Sequence, residues 1–138
     1  MKNYIVITAL GSDRPGIVDE LAKYINDHEC NIEDSRMSVL GGEFAIMLLV
    51  SGNWNTVAKL QDQMPALEQK LGMSITAKIT ERSPSTQKTL PYTAEVIALD
   101  HPGIVNKLAH FFSTRSINIV EMTTSTYAAP HTGTAMFS

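Results

Sequence analysis

The sequence predicts an α+β protein made of two copies of one split βαβ unit, each an antiparallel sheet with helices on one face. Three observations predict it. The segment Asp13-Arg14-Pro15-Gly16-Ile17-Val18 recurs 87 residues later as Asp100-His101-Pro102-Gly103-Ile104-Val105. Each copy follows a short apolar run, residues 4–7 and 94–99. Within residues 4–80 the hydrophobic period also changes in the order strand, helix, strand, strand, helix, strand.

Residues 4–10 read as the first strand. Ile5, Val6 and Ile7 are β-formers, and their unbroken run allows burial on both faces. Gly11-Ser12-Asp13 is a turn. Proline fixes φ and glycine carries no Cβ, so a helix start is expected at Pro15. That helix runs to about His28, with Ile17, Val18, Leu21, Ala22 and Ile25 on one stripe and Asp19, Glu20, Lys23 and Asp27 on the other. Residues 31–40 form a second strand and Gly41-Gly42 a two-residue hairpin. Residues 44–51 are apolar almost throughout, which predicts a central strand. A second helix follows, with Val57, Leu60, Leu67 and Leu71 inward. Pro65 should kink or split it, and Gly72 is placed to end it. Residues 73–80 alternate apolar and polar, a fourth strand with one wet face. The order βαββαβ is the ferredoxin-like arrangement.

Residues 82–91 hold two prolines and no periodicity, and read as a linker. The pattern then restarts. A strand is expected over 92–99, then a helix over 102–114 with Ile104, Val105, Leu108, Ala109 and Phe112 inward. A second strand is expected over 118–127, a longer turn over 128–133, and a third strand opening at 134. The shift of 87 also places Leu21 on Leu108 and Asn31-Ile32 on Asn118-Ile119. A three-residue insertion then aligns Ala45-Ile46-Met47 with Ala135-Met136-Phe137. The expected organisation is residues 1–81 as the first domain and 92–138 as a second copy incomplete at its C-terminus, its last helix and strand missing or supplied by a partner chain.

Composition bounds the function. The chain has 138 residues, of which 43% are hydrophobic and 18% charged, with net charge −3. Its Lys and Arg are scattered, which argues against direct nucleic-acid binding but leaves open action on transcription through another protein. The longest apolar run, residues 44–50, is too short to span a bilayer. One cysteine, Cys30, gives no intrachain disulfide framework. A soluble cytoplasmic protein is expected.

The candidate ligand-binding residues are Asp13, Gly16 and Asn31, with Asp100, Gly103 and Asn118 as their repeats. Free N–H groups and the positive dipole end at a helix start suit a carboxylate. Asp13 and Asp100 could accept a ligand ammonium or cap the helix. Gly16 and Gly103 could admit a ligand to the backbone or pack helix on strand. Asn31 and Asn118 offer both an acceptor and donors, or hold a turn. The expected topology makes the first turn and the start of the second strand spatial neighbours. The histidines show no metal-ligand spacing, no nucleophile–base pairing is visible, and no phosphate-binding loop is present, so a non-catalytic protein without cofactor is expected. Glu33, Asp34 and Arg36 read as a solvated strand face. Trp54 is expected to anchor the second helix or to lie exposed as a partner contact. Met37, Met47, Met64 and Met73 are assigned to the core, and Cys30 to a small apolar filler.

The Asp-Arg-Pro-Gly-Ile-Val turn, with Cys30-Asn31-Ile32-Glu33-Asp34-Ser35-Arg36 and Leu48-Leu49-Val50-Ser51-Gly52-Asn53-Trp54-Asn55, resembles the ACT domain family of small-molecule regulatory modules. The resemblance is specific in the first repeat and thinner in the second. It implies a cytoplasmic homo-oligomeric regulator that binds glycine or a similar small amino acid at Asp13, Gly16 and Asn31, and by the repeat at Asp100, Gly103 and Asn118. It also implies repression of the glycine cleavage genes through contact with a DNA-bound LysR-type activator. ACT units also occur ahead of catalytic domains in enzymes such as formyltetrahydrofolate deformylase. A regulatory piece of an enzyme, or a ligand-free dimerisation module, are therefore the alternatives.

Overall fold

The computed structural model describes residues 2–81 and 92–138, which fall into two compact units. The segment expected to be a linker, 82–91, lies outside the described residues.

In the first unit the chain runs β1 (Asn3–Ser12), α1 (Ile17–Asp27), β2 (Asn31–Leu40), β3 (Glu43–Gly52), α2 (Trp54–Asp62), α3 (Met64–Leu71) and β4 (Ser74–Thr80). The sheet order is β2-β3-β1-β4, every pair antiparallel. This is the expected βαββαβ topology, with β3 central as its composition predicts. Strand alternation sends Ile5, Ile7 and Ala9 of β1 and Phe44, Ile46, Leu48 and Val50 of β3 to one face. There they meet Ile17, Leu21 and Ile25 of α1, Val57 and Leu60 of α2, and Met64, Leu67 and Leu71 of α3.

Burial of β1 on both faces is not what forms. With all helices on one side, the partners Val6/Leu49 and Leu10/Ala45 fall on the other face, where Leu10 is 50% exposed. Met47 is likewise half exposed there, and Met37 lies on an edge strand beyond the helices, so only Met64 and Met73 of the four methionines are core.

Pro65 does split the second helix. Its missing N–H is harmless in the first turn of α3, and the break falls at Gln63. Gly72, at φ 67°, ends α3 with its N–H on the Glu68 carbonyl at 2.8 Å. Asn53 caps α2, accepting from the Thr56 N–H at 2.8 Å. Trp54 is 62% exposed, so it does not anchor that helix; Val57 and Leu60 do.

The second unit comprises β5 (Ala98–Leu99), α4 (Ile104–Ser113), β6 (Thr126–Ala128) and β7 (Ala135–Phe137). Its sheet order, β5-β7-β6, repeats β1-β3-β2. The strands are much shorter than the 92–99 and 118–127 expected. β7 is three residues long, and its ladder with β6 ends where Ser125 and Ser138 exchange backbone bonds. Earlier residues therefore have no central strand to pair with among the described residues.

The duplication is visible bond by bond. Cys30 N–H reaches the Ile25 carbonyl at 3.2 Å, and Ile117 N–H reaches the Phe112 carbonyl at 3.0 Å. Glu29 and Ser116, the non-glycine residues with positive φ among those described, occupy the same place at 59° and 56°. In the third strands the match differs from the expected one. Phe137 pairs with Ala98 as Phe44 pairs with Gly11, and both phenylalanines are buried. The insertion is therefore six residues, all in the hairpin, and Phe137 answers to Phe44 rather than to Met47.

Candidate functional site

The helix starts two residues later than expected, because Pro15 and Gly16 belong to the turn. Gly16 has φ 86° and ψ −4°, Gly103 has φ 83° and ψ 6°, and both sit in the left-handed region that favours glycine. Their carbonyls accept the first helical bonds, from Glu20 and Lys107, at 3.0 Å each. The turn is held from behind: Asp13 N–H donates to the Gly42 carbonyl at 3.3 Å and Asp100 N–H to the Ala135 carbonyl at 3.0 Å. The N–H groups of the first three residues of each helix have no intrahelical acceptor, and that of Ile104 reaches the His101 carbonyl of the turn at 3.4 Å.

Two of the open alternatives now close. Neither helix has a side-chain cap, so Asp13 and Asp100 are not caps. A Cβ at Gly16 or Gly103 would meet nothing within 4 Å, so these glycines serve backbone conformation and not close packing. Both turns present an amide-rich mouth with open space before it.

The two mouths differ in charge. Beside the first, the Arg14 guanidinium forks onto Glu20 at 2.8 and 3.3 Å. This bond raises the arginine and lowers the glutamate from their ordinary values. The first turn of α1 also carries Asp19. At the second mouth the corresponding positions hold His101 and Lys107, and the first turn of α4 has no acid. The second mouth is the better electrostatic seat for an anion. It opens onto a shallow cavity of about 430 Å³ lined by Asp100, His101, Gly103, Thr124, Ser125 and Phe137, among others.

The asparagines are elsewhere, which corrects the expected proximity. β1 and β2 both run antiparallel to β3, so they lie parallel to each other. The Asp13 turn sits at the Glu43 end of β3, whereas Asn31 pairs with Ser51 at the other end. At the rise of a strand, that is roughly 25 Å apart. In the second unit Asn118 lies outside any strand, and it lines a separate hollow with Ala109, Ser113 and Ser116.

Asn31 has company that its sequence neighbours did not announce. The β2–β3 register shifts between Ile32 and Asp34, making Glu33 the extra residue of a bulge. Its Oε1 accepts from Ser51 Oγ at 2.6 Å and from Lys2 Nζ at 3.4 Å. The Ser51 bond, helped by Lys2 and Asn31, holds the Glu33 carboxyl below the usual glutamate value despite opposing desolvation. Ser51 itself is 4% exposed. The one available signal was a hydroxyl at the end of an otherwise apolar strand. Asp34 and Arg36 are exposed and joined at 2.6 Å, in keeping with a solvated face. Cys30 is buried, as a small filler should be. Among the described residues no group of three His, Cys, Asp or Glu side chains could hold a metal ion, and no helix is long and apolar enough to cross a membrane.

A four-stranded antiparallel sheet in this order, helices on one face, and a Pro-Gly mouth after its first strand define a split βαβ module. The ACT domain model matches residues 3–78, and the chain belongs to the ACT domain family. It is 34% identical over 128 residues to the glycine cleavage system transcriptional repressor of Escherichia coli (strain K12), covering 93% of this chain and 67% of that protein. A crystal structure provisionally described as a glycine cleavage system transcriptional repressor superposes with TM-score 0.70 at 25% identity, over 99% of this chain and 78% of that one. A protein of unknown function from Galdieria sulphuraria superposes with TM-score 0.72 at 28% identity, with the same coverage. The Escherichia coli relative is named as a transcriptional repressor, which agrees with the non-catalytic expectation.

Proposed function

We propose that this chain is a cytoplasmic, non-catalytic repressor of the glycine cleavage system that binds glycine or a similar small amino acid and acts on a DNA-bound LysR-type activator. The similarity to the Escherichia coli repressor along 93% of the chain carries the reading. The physical support is the duplicated helix start without a side-chain cap, whose N–H groups and positive dipole end suit a carboxylate. The acidic balance and lack of a basic stripe favour a protein partner over DNA.

A small amino acid is only a few ångströms long, so within one unit it does not touch both the Asp13 turn and Asn31. The proposal therefore includes a homo-oligomer in which Asp13 and Gly16, or Asp100 and Gly103, meet an Asn31 or Asn118 end from a second copy of the chain. Titration calorimetry with glycine, alanine and serine tests the binding half. Heat that saturates for at least one of them, and disappears on Asn31→Ala, supports it; no heat for any removes it. Copurification with a tagged LysR-type activator tests the other half.

A further inference from the structure

We propose that Glu33 is an ammonium-accepting group at the Asn31 end of the first unit, a place that Lys2 fills when no ligand is bound. The inference rests on the amino-acid-binding reading and adds which end of the ligand goes where. The bulge turns Glu33 toward Ser51, and the Ser51 hydroxyl, itself buried, fixes Oε1 at 2.6 Å. The carboxylate side chain is only 16% exposed, whereas its Lys2 partner is 67% exposed at 3.4 Å. Ser51 and Lys2 both address Oε1, leaving Oε2 to neither. An exposed lysine pair contributes little and is readily displaced. Its –NH₃⁺ has the same chemistry as the ammonium of an amino acid. Asn31, two residues earlier on β2, also lowers the Glu33 value through its side chain, and an asparagine amide carries an acceptor oxygen as well as donors. A largely covered carboxylate whose Oε1 already takes one ammonium makes this a seat for a primary ammonium and a poor one for a carboxylate. The second unit has no counterpart, because the position matching Glu33 is Val120, 92% exposed. The repeats are thus unequal at both ends: the better carboxylate seat lies in the second unit and the ammonium seat in the first.

The test uses the full chain as wild type, Glu33→Gln and Lys2→Met, followed by amide NMR during titration with methylammonium, tetramethylammonium or acetate. Saturable shifts at Asn31, Glu33 and Ser51 are expected with methylammonium alone. They should be lost in Glu33→Gln and appear at lower concentration in Lys2→Met. No shift in the wild type, or the same shift in Glu33→Gln, overturns the proposal. Calorimetry with glycine separates the two readings, since Glu33→Gln should weaken binding about tenfold. Equal affinity in both chains overturns the Glu33 role while amino-acid binding stands. A Glu33-dependent methylammonium shift with no glycine binding keeps the cation seat and removes the amino-acid reading.

Discussion

Asp13 and Asp100, 87 positions apart, are tied in the same way, each by its own backbone N–H to a carbonyl of the following hairpin. The tie fixes where the Pro-Gly turn stands relative to the sheet, and so where the helix mouth points. It depends on the backbone alone, so it survives the change of the next residue from Arg14 to His101.

The glycine after each proline should resist substitution for conformational reasons. Gly16→Ala and Gly103→Ala place a Cβ at φ 86° and 83° but in open space. Each should cost about 1–2 kcal/mol in urea unfolding. Gly42→Ala, with neither positive φ nor neighbours, should stay within about 0.5 kcal/mol.

Gly52 is required for a different reason. A Cβ there would lie 2.5 Å from Thr56 Oγ1 and 3.0 Å from Cys30 Sγ. Gly52→Ala should therefore cost about 1–3 kcal/mol. Adding Thr56→Ala should recover part of the loss, measurable as non-additivity in a double-mutant cycle.

The second helix should depend on its buried residues and its cap, not on its tryptophan. Leu60→Ala is expected to cost about 2–5 kcal/mol and Asn53→Ala about 1 kcal/mol. Trp54→Ala should change the melting free energy by less than about 0.5 kcal/mol.

Much of this was legible in the residues. Element order, the hairpin at Gly41-Gly42, the split at Pro65 and the central position of β3 follow from period, turn chemistry and proline geometry. The misses have separate physical causes. Strand alternation reports which residues share a face, not whether anything covers it, so Val6 and Met47 read like core. Likewise, a strand is legible only if a partner exists, and residues 118–125 look like Asn31–Leu40 without having its neighbour. Of the candidate site, the turns were legible and the asparagine ends were misplaced, because strand direction in the sheet is a tertiary property. Glu33 was invisible as a special residue because a bulge leaves no mark in composition.

Stability should fall in acid through Glu33 and Glu20. Both carboxyls are held below the ordinary value of 4.5 in the folded chain. A lowered folded value stabilises above the unfolded value, and the contribution fades as pH drops below 4.5 through the folded one. Glu33→Gln should be less stable than wild type at neutral pH and converge with it in acid, as seen in urea midpoints measured across that range.

The carbonyls that tie the two aspartates, Gly42 and Ala135, both stand on the β3 and β7 side of their hairpins. Extra length inserted before them leaves the tether in register. That connection can therefore grow without disturbing the pocket rim, which makes its tip the natural place to graft a tag or a reporter.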